Sequence, residues 1–431
     1  MILRQFTLSI LILSAGIRSG AQTLHRSEAL ATALQNNSDL AIARNTTLQA
    51  AAQYHQTDAA FLPQLGVTYT AYTSNNPLNA FAFKLQQQNI TQNDFNPALL
   101  NNPDRTSNFT TQATIQQPIL NLDAFYQRKA ARTAIEIAEL QQARLQDYIR
   151  FRTAGAYLQL QLAYEVVKVL QQAFRTSDSV YAFTKARYEQ GFLQKSDLLN
   201  AEVHLRSVQS QLANAQSAIQ DQSDNLSLLM RTAPGKVYEV DTLTPESIVT
   251  EENIPESRPD FRAMHQAIKA QELIVKSTGL GLVPRLNGFG NMQLNDRTAT
   301  GFSNGSYLLG LQLSWNFFQG NAVHSQVNKQ QLQKDRIALQ LQQMKEESEK
   351  ELQATKRRIA DAAFQIAQTK TAVEQATEAL QIIHNRYKQG LAGSTDVLMA
   401  QTQLFQQQLS YRQAIMMLNM SIAYCTFLTA N

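Results

Sequence analysis

The 431-residue chain has one cysteine, ten prolines, sixteen glycines and one tryptophan, and only 17% of its residues are charged. A single thiol, Cys425, excludes an intrachain disulfide. Sparse proline and glycine leave long tracts with nothing to interrupt a helix, and Gln, Ala, Leu and Asn fill them. Beyond the N-terminal stretch no apolar run reaches about 18 residues, so no transmembrane helix is expected. The net charge of +4 drops by two if Arg4 and Arg18 leave with a leader. That is no electrostatic ground for binding nucleic acid, and no aromatic-and-basic platform accompanies it. The six histidines (His25, His55, His204, His265, His324 and His384) form no i,i+4 pair and no Cys-His spacing for a metal. Met416, Met417 and Met420 are better read as core packing near a helix end than as soft-metal ligands. No catalytic constellation emerges, so neither an enzyme nor a cofactor is expected.

What is present begins with a secretory pattern. Arg4 gives a positive start, Phe6 to Ile17 a short apolar core, and Ser19-Gly20-Ala21 small residues at a cut after Ala21. That core is too short to span a bilayer as a helix. An exported chain of this kind is periplasmic, secreted or a β-barrel protein.

One stretch occurs twice. Arg187-Tyr188-Glu189-Gln190-Gly191 followed by Ser196-Asp197-Leu198-Leu199-Asn200-Ala201 returns as Arg386-Tyr387-Lys388-Gln389-Gly390 followed by Thr395-Asp396-Val397-Leu398-Met399-Ala400. Seven of the fifteen aligned positions are identical at an offset of 199, which marks an internal duplication. Each copy has the chemistry of a reversal between two helices. Gly tolerates the left-handed conformation past a helix end, Ser196 or Thr395 is placed to N-cap the next helix, and an Asp sits in its first turn.

The expected organisation is a leader at 1–21, a first repeat at 22–230, a connector at 231–257 and a second repeat at 258–431. The first repeat holds a helix, a strand–loop–strand unit at 64–117, a long helix at 121–190 and a returning helix at 196–230. The second holds a helix, a strand–loop–strand unit at 285–316, a long helix at 320–389 and a returning helix at 394–428. Seventy helical residues span roughly 105 Å. The first opening helix is expected over 27–61, and Pro118 is expected to close the second strand. Residues 74–107 read as a loop, and the extra length of the first repeat falls there.

Heptads run along the long helices. Ile359, Ala362, Ile366, Thr369, Val373, Ala376, Leu380, Ile383 and Tyr387 correspond to Leu160, Ala163, Val167, Leu170, Phe174, Ser177, Tyr181, Thr184 and Tyr188. Such a stripe predicts coiled-coil pairing within each hairpin, with Cys425 buried on it. The strands alternate with a period of two. Four strands have the length of an outer-membrane barrel wall but cannot close alone, and open edges are not tolerated in lipid. Closure would need an oligomer, and a three-fold ring of twelve strands is one solution. A soluble sheet capping a helical rod is the other reading, and the export signal favours the membrane. The fold class is therefore mainly α with a small β part.

These residues resemble the TolC family of outer-membrane efflux and secretion channels. The resemblance covers essentially the whole mature chain. It rests on the two Arg-Tyr-x-x-Gly…Asp-hydrophobic-Leu turns, on Leu62-Pro63-Gln64-Leu65 and Val283-Pro284-Arg285-Leu286 entering strands, and on Trp315-Asn316-Phe317-Phe318-Gln319-Gly320 leaving the sheet. It implies a homotrimer with a twelve-stranded barrel in outer-membrane lipid, continued by an α-helical tunnel into the periplasm of a Gram-negative cell. It implies that the turns are the tunnel's periplasmic tips. There a periplasmic adaptor (membrane fusion protein) would dock through Arg187, Gly191, Phe192, Leu193, Ser196, Arg386, Gly390, Leu391 and Thr395. By position, Asp197 and Tyr387 match residues that hold the closed mouth, and Asp396 matches a constriction carboxylate that three-fold symmetry would repeat as a ring. This chain departs from the family's pattern at Ala392, where an Arg is familiar, and at Met399, where many relatives carry a second carboxylate.

Two functions follow for testing. One is a passive exit duct, energised by an inner-membrane pump of RND or ABC type. The other is a trimeric adhesive fibre with a short barrel anchor.

Overall fold

The computed structural model describes residues 23–248 and 253–431. The expected leader lies outside them. The chain divides into two compact units. One gathers the residues up to Ala41 with Leu145–Pro255 and Ser348–Ala430; the other gathers Ile42–Arg144, Glu256–Glu347 and Asn431.

The second unit holds the sheet. Helix α1 (Arg26–Asn36) is followed by α2 (Ser38–Gln56), a short 3₁₀ turn and strand β1 (Gln64–Ser74). The single opening helix expected over 27–61 is thus two. Asn37 adopts φ −55°, ψ 134°, and its Oδ1 accepts from Asp39 N at 2.9 Å, capping α2 where α1 has stopped. Residues 74–107 are more than a loop. They fold as α3 (Pro77–Gln86), a 3₁₀ turn and α4 (Pro97–Asn101) before strand β2 (Thr106–Leu120). Asn76 caps α3, accepting from Leu78 N and Asn79 N, with Pro77 at the first helical position. Strand β2 runs past Pro118 because the register slips between Pro118 and Leu120, which accommodates a residue with no N–H.

Helix α5 (Leu122–Glu189) leads to α6 (Lys195–Met230), then α7 (Pro259–Gly279), strands β3 (Arg285–Asp296) and β4 (Asn304–Ser314), α8 (Ala322–Lys388) and α9 (Ser394–Leu428). The long helices match the expected spans within two residues at each end. The strands form one antiparallel sheet in the order β1-β2-β3-β4. Registers set the two faces apart. Leu65, Ile115, Gly290 and Leu309 lie side by side across all four strands, as do Val67, Ala113, Met292 and Tyr307. Tyr307, Leu309, Leu311 and Leu313 of this face are exposed. On the opposite face Thr68, Gln112, Gln293 and Ser306 line up, and so do Thr70, Thr110, Asn295 and Asn304.

The first unit is held by apolar clusters between helices. Ala29, Ala33, Ile149, Tyr157, Leu160 and Leu226 bury one, and Leu352, Ile359, Ala362, Leu418, Ile422 and Cys425 another. The heptad stripe is therefore the buried seam, and Cys425 lies on it. Met416 and Met420 pack beside Leu158, Leu243 and Ile415, so these two methionines are core side chains.

The start of the described chain is tied to the connector. Leu24 pairs in parallel with Val240, its N–H donating to Glu239 O at 2.8 Å. Burial pushes the Tyr157 phenol up to about 12, and its hydroxyl sits 2.9 Å from Leu24 O and 3.2 Å from the Asp241 carboxylate. His25 Nδ1 meets Asp241 Oδ2 at 3.0 Å, and Arg26 pairs with Glu246. Hydrogen bonding and attraction to Asp241 raise the His25 pKa above 6.5. A raised histidine stabilises fully below its unfolded pKa, and the contribution is lost as pH rises through the folded value. Hydrogen exchange at the Leu24 amide, corrected for its intrinsic rate, should therefore quicken between about pH 5 and about pH 9. The His25→Gln variant should show no such change, and a site that tightens at high pH would refute the linkage.

Candidate functional site

Both helical hairpins reverse by the same local device. Gly191 takes φ +81° and Gly390 φ +77°, a conformation that side chains with a Cβ rarely adopt. After α5, Phe192 N donates to Arg187 O and Gly191 N to Tyr188 O, both at 2.9 Å. After α8, Leu391 N donates to Arg386 O at 2.8 Å and Gly390 N to Tyr387 O at 3.0 Å. These paired bonds close the last carbonyls of each helix, so the Arg-Tyr-x-x-Gly pattern encodes a glycine-ended cap.

The N-caps differ from expectation. Helix α6 is capped at Gln194 and α9 at Gly393, which leaves Ser196 and Thr395 exposed inside the first turn. The aspartates supply the cap instead. Asp197 Oδ2 accepts from Gln194 N at 3.2 Å, and Asp396 Oδ2 from Gly393 N at 2.9 Å. A carboxylate at the third position satisfies an orphan donor and places negative charge at the positive end of the helix dipole. One acidic side chain does both, so the hydroxyls are not needed there.

Above the tips, the two hairpins interlock. Tyr387 is 3% exposed and packs with Val180, Ala201, Val397 and Leu398, with Ala392 at the edge of the cluster. Its ring meets Phe183 at 5.0 Å between centroids. The hydroxyl lies 2.7 Å from Thr184 Oγ1. Thr184 already donates its only proton to Val180 O at 2.7 Å, so Tyr387 is the donor between them. Burial raises the Tyr387 pKa, which keeps that proton in place at neutral pH. From sequence, Asp197 and Tyr387 are both expected to hold the closed mouth; within this chain Asp197 bonds the start of its own helix and Tyr387 bonds Thr184.

Thr184 enters the sequence pattern only as a stripe position, and Gln401 stands outside the expected site residues. Gln401 is 4% exposed and reaches from α9 to α5, donating from Nε2 to Ser177 Oγ at 3.1 Å and to the Ala173 carbonyl. The signal was available: Ser177 and Thr184 are polar breaks in an otherwise apolar heptad stripe, and a buried hydroxyl needs a partner.

The remaining expected residues sit at the surface. Phe192 is 73% exposed, Leu391 64%, and Leu193 is half-buried. Arg187 stacks over Phe183 at 5.0 Å, and a Cβ on Gly390 would meet its Nη1 at 3.2 Å, so the first tip lies against the second. Asp396, Arg386, Leu391, Ala392 and Met399 line an open groove of about 610 Å³ between α8 and α9. Asp396 and Met399 are exposed in it. Among the described residues no helix is long and apolar enough to cross a membrane, and no three His, Cys, Asp or Glu side chains gather to hold a metal.

Paired long helical hairpins joined to a sheet with one apolar, exposed face define the fold of outer-membrane channel proteins. Residues 29–230 and 252–415 match the outer membrane efflux protein family, and the chain belongs to that family. No curated protein matches it by sequence. Among solved structures it is similar in fold to the Campylobacter jejuni CmeC outer membrane channel, with a TM-score of 0.77 at 17% identity over 94% of this chain and 85% of that one. It is similar to the outer membrane protein VceC of Vibrio cholerae, with a TM-score of 0.74 at 19% identity over 94% and 96%. The open state of the Neisseria gonorrhoeae MtrE outer membrane channel gives 0.74 at 15% identity over 94% and 88%.

The Tyr387–Thr184 bond has an asymmetric cost. Tyr387→Phe removes one net hydrogen bond, worth about 1 kcal/mol, whereas Thr184→Val strands a buried phenol and costs about 1–3 kcal/mol. Thermal unfolding should rank Thr184→Val below Tyr387→Phe, with the double variant no worse than Thr184→Val. Additive losses in that cycle would show that the two hydroxyls do not interact.

Proposed function

We propose that this chain is the outer-membrane exit duct of an efflux or secretion machine, assembled as a homotrimer. The observation that carries the reading is the open sheet with one apolar face. Among the described residues strands β1 and β4 each pair on one side only, and an unpaired edge in hydrocarbon leaves backbone groups unsatisfied. Three copies joined edge to edge close a twelve-stranded barrel and satisfy all of them. A strand of 11 residues tilted by about 40° rises about 28 Å, enough for the apolar band of such barrels. The exposed Leu65, Val67, Tyr307, Leu309, Leu311 and Leu313 then face lipid, and the Thr, Gln and Asn face lines the bore. Membership of an efflux family favours this over the adhesive fibre.

The helical hairpins continue the duct into the periplasm and converge at the two tips. The duct is passive; energy and selectivity come from an inner-membrane pump of RND or ABC type, reached through a periplasmic adaptor. The exposed Phe192 and Leu391, the half-buried Leu193, and Arg187, Gly191, Ser196, Arg386, Gly390 and Thr395 around them form the docking surface. Opening separates the two hairpins at the Tyr387–Thr184 and Gln401–Ser177 bonds. Asp197 and Tyr387 are gate residues in this reading, and Asp197 also fixes the start of α6.

Asp396, exposed in its groove, supplies three carboxylates to a ring at the mouth. Like charges held close together attract multivalent cations. Because Asp396 also caps α9, Asp396→Ala mixes two effects. Asp396→Asn keeps an acceptor for Gly393 N–H while removing the charge. In planar bilayers, the wild-type channel should be blocked by multivalent cations and Asp396→Asn should escape that block. Equal block in both proteins would remove Asp396 from the constriction.

A further inference from the structure

The segment between β1 and β2 is placed where a loop with no role in transport would not need to be. The chain enters β1 from α2 and leaves β2 into α5, so residues 75–105 sit at the end of the sheet remote from the helices. Helix α3 folds back from that end onto the polar face of the sheet. Phe83 stacks on Tyr72 at 5.8 Å between centroids, and Tyr72 alternates with Ala71 onto the Thr68 and Thr70 side. Gln87 Nε2 donates to Asn108 Oδ1 at 2.9 Å and to Ser107 O at 2.8 Å, while Asn108 Nδ2 donates to Gln86 Oε1 at 3.0 Å. Asn108 and Asn295 are joined at 3.1 Å on the same face and are almost wholly buried, although each belongs to a wall that elsewhere is open.

The segment also holds its own shape. Lys84 Nζ meets Asp94 Oδ1 at 2.6 Å, and Thr91 N donates to Asp94 Oδ2 at 2.7 Å. The Lys84 hydrogen bond, with those from Thr91, lowers the Asp94 pKa to about 2, so the pair stays charged outside strong acid. Phe81 and Phe95 meet edge to face at 5.6 Å. Two Asp, one Lys and one Arg leave residues 75–105 with no net charge.

We infer that residues 77–101 form a second, outer constriction inside the barrel, which excludes large hydrophilic solutes by size rather than by charge. The inference rests on the trimeric barrel proposed above. Twelve strands about 4.8 Å apart and tilted by about 40° enclose a backbone circle about 24 Å across. A helix with its side chains is about 10 Å thick, and three standing side by side occupy a circle about 22 Å across. Three copies of α3 held against the inner wall thus fill most of the bore. Because Phe83, Gln86 and Gln87 fix the helix to the wall, the constriction stands whether the periplasmic tips are open or closed.

Thiol labelling on intact cells tests this without passing through the tips. Thr68 faces the bore about 13 Å inward from Tyr72 along β1, and the natural Cys425 is buried. In Thr68→Cys, a small maleimide should react and a large polyethylene-glycol maleimide should not. Replacing residues 77–101 by a short Gly-Ser linker should admit the large reagent. Equal labelling by the large reagent with the segment intact would overturn the constriction and leave the channel reading standing. If the small reagent labels neither surface-exposed protein, the barrel reading falls, and this inference with it. Should the shortened chain fail to assemble, Phe83→Ala with Gln87→Ala frees α3 without removing it. The large reagent should then react severalfold faster, and an unchanged rate would overturn the proposal.

Discussion

A backbone N–H or C=O that faces hydrocarbon must find a partner, and the rest of this molecule follows from how that demand is met. The helices meet it internally, bond by bond. The sheet cannot, because among the described residues β1 and β4 each have one free edge. A sheet with Leu, Val and Tyr exposed on one face and Thr, Gln and Asn on the other is stable only where that apolar face meets lipid and its edges meet other strands. In the proposed assembly, oligomerisation is thus a consequence of the sheet rather than an addition to it.

The same accounting of polar groups shapes the hairpin turns. Each hairpin turn satisfies its helix-end carbonyls through a left-handed glycine and its helix-start amide through an aspartate. Asp197 and Asp396 are therefore alike in local structure. Their surroundings separate them: Asp197 is half-buried, while Asp396 is exposed in a groove between α8 and α9. A local duty shared by both copies leaves room for a second duty in one.

In the helical seam, coiled-coil packing is interrupted by a few polar residues that cross it. Tyr387 with Thr184, and Gln401 with Ser177, are buried and hydrogen-bonded. Apolar contacts can slide and re-form at similar energy, but a buried hydroxyl is satisfied in one register only. Such pairs set which turns of α8 and α9 lie against which turns of α5. The segment after β1 uses the same chemistry elsewhere, with Gln86, Gln87 and Asn108 fixing α3 to the sheet.

Much of this was legible in the residues. Uninterrupted helical composition fixed the two long helices to within two residues, because a helix needs only local bonds and a periodic apolar stripe. Period-two alternation located the strands because successive side chains of a strand point to opposite faces, and the glycine turns followed from a backbone conformation few other residues adopt. The break at Asn37, the strand continuing past Pro118, and the caps taken over by aspartate were decided by competition between neighbours that a pattern does not rank. Least legible were the partners of Tyr387 and the position of α3. Asn76-Pro77 announces a helix start, but Gln87 finds Asn108 and Tyr387 finds Thr184 only when segments 21 and 203 residues apart are brought together. Sequence by itself determined the elements, since a helix's hydrogen bonds close over a few residues and a strand's alternation of side chains is set by its own backbone. Tertiary structure decided which polar groups meet, since a buried donor is satisfied by whichever acceptor packing delivers to it.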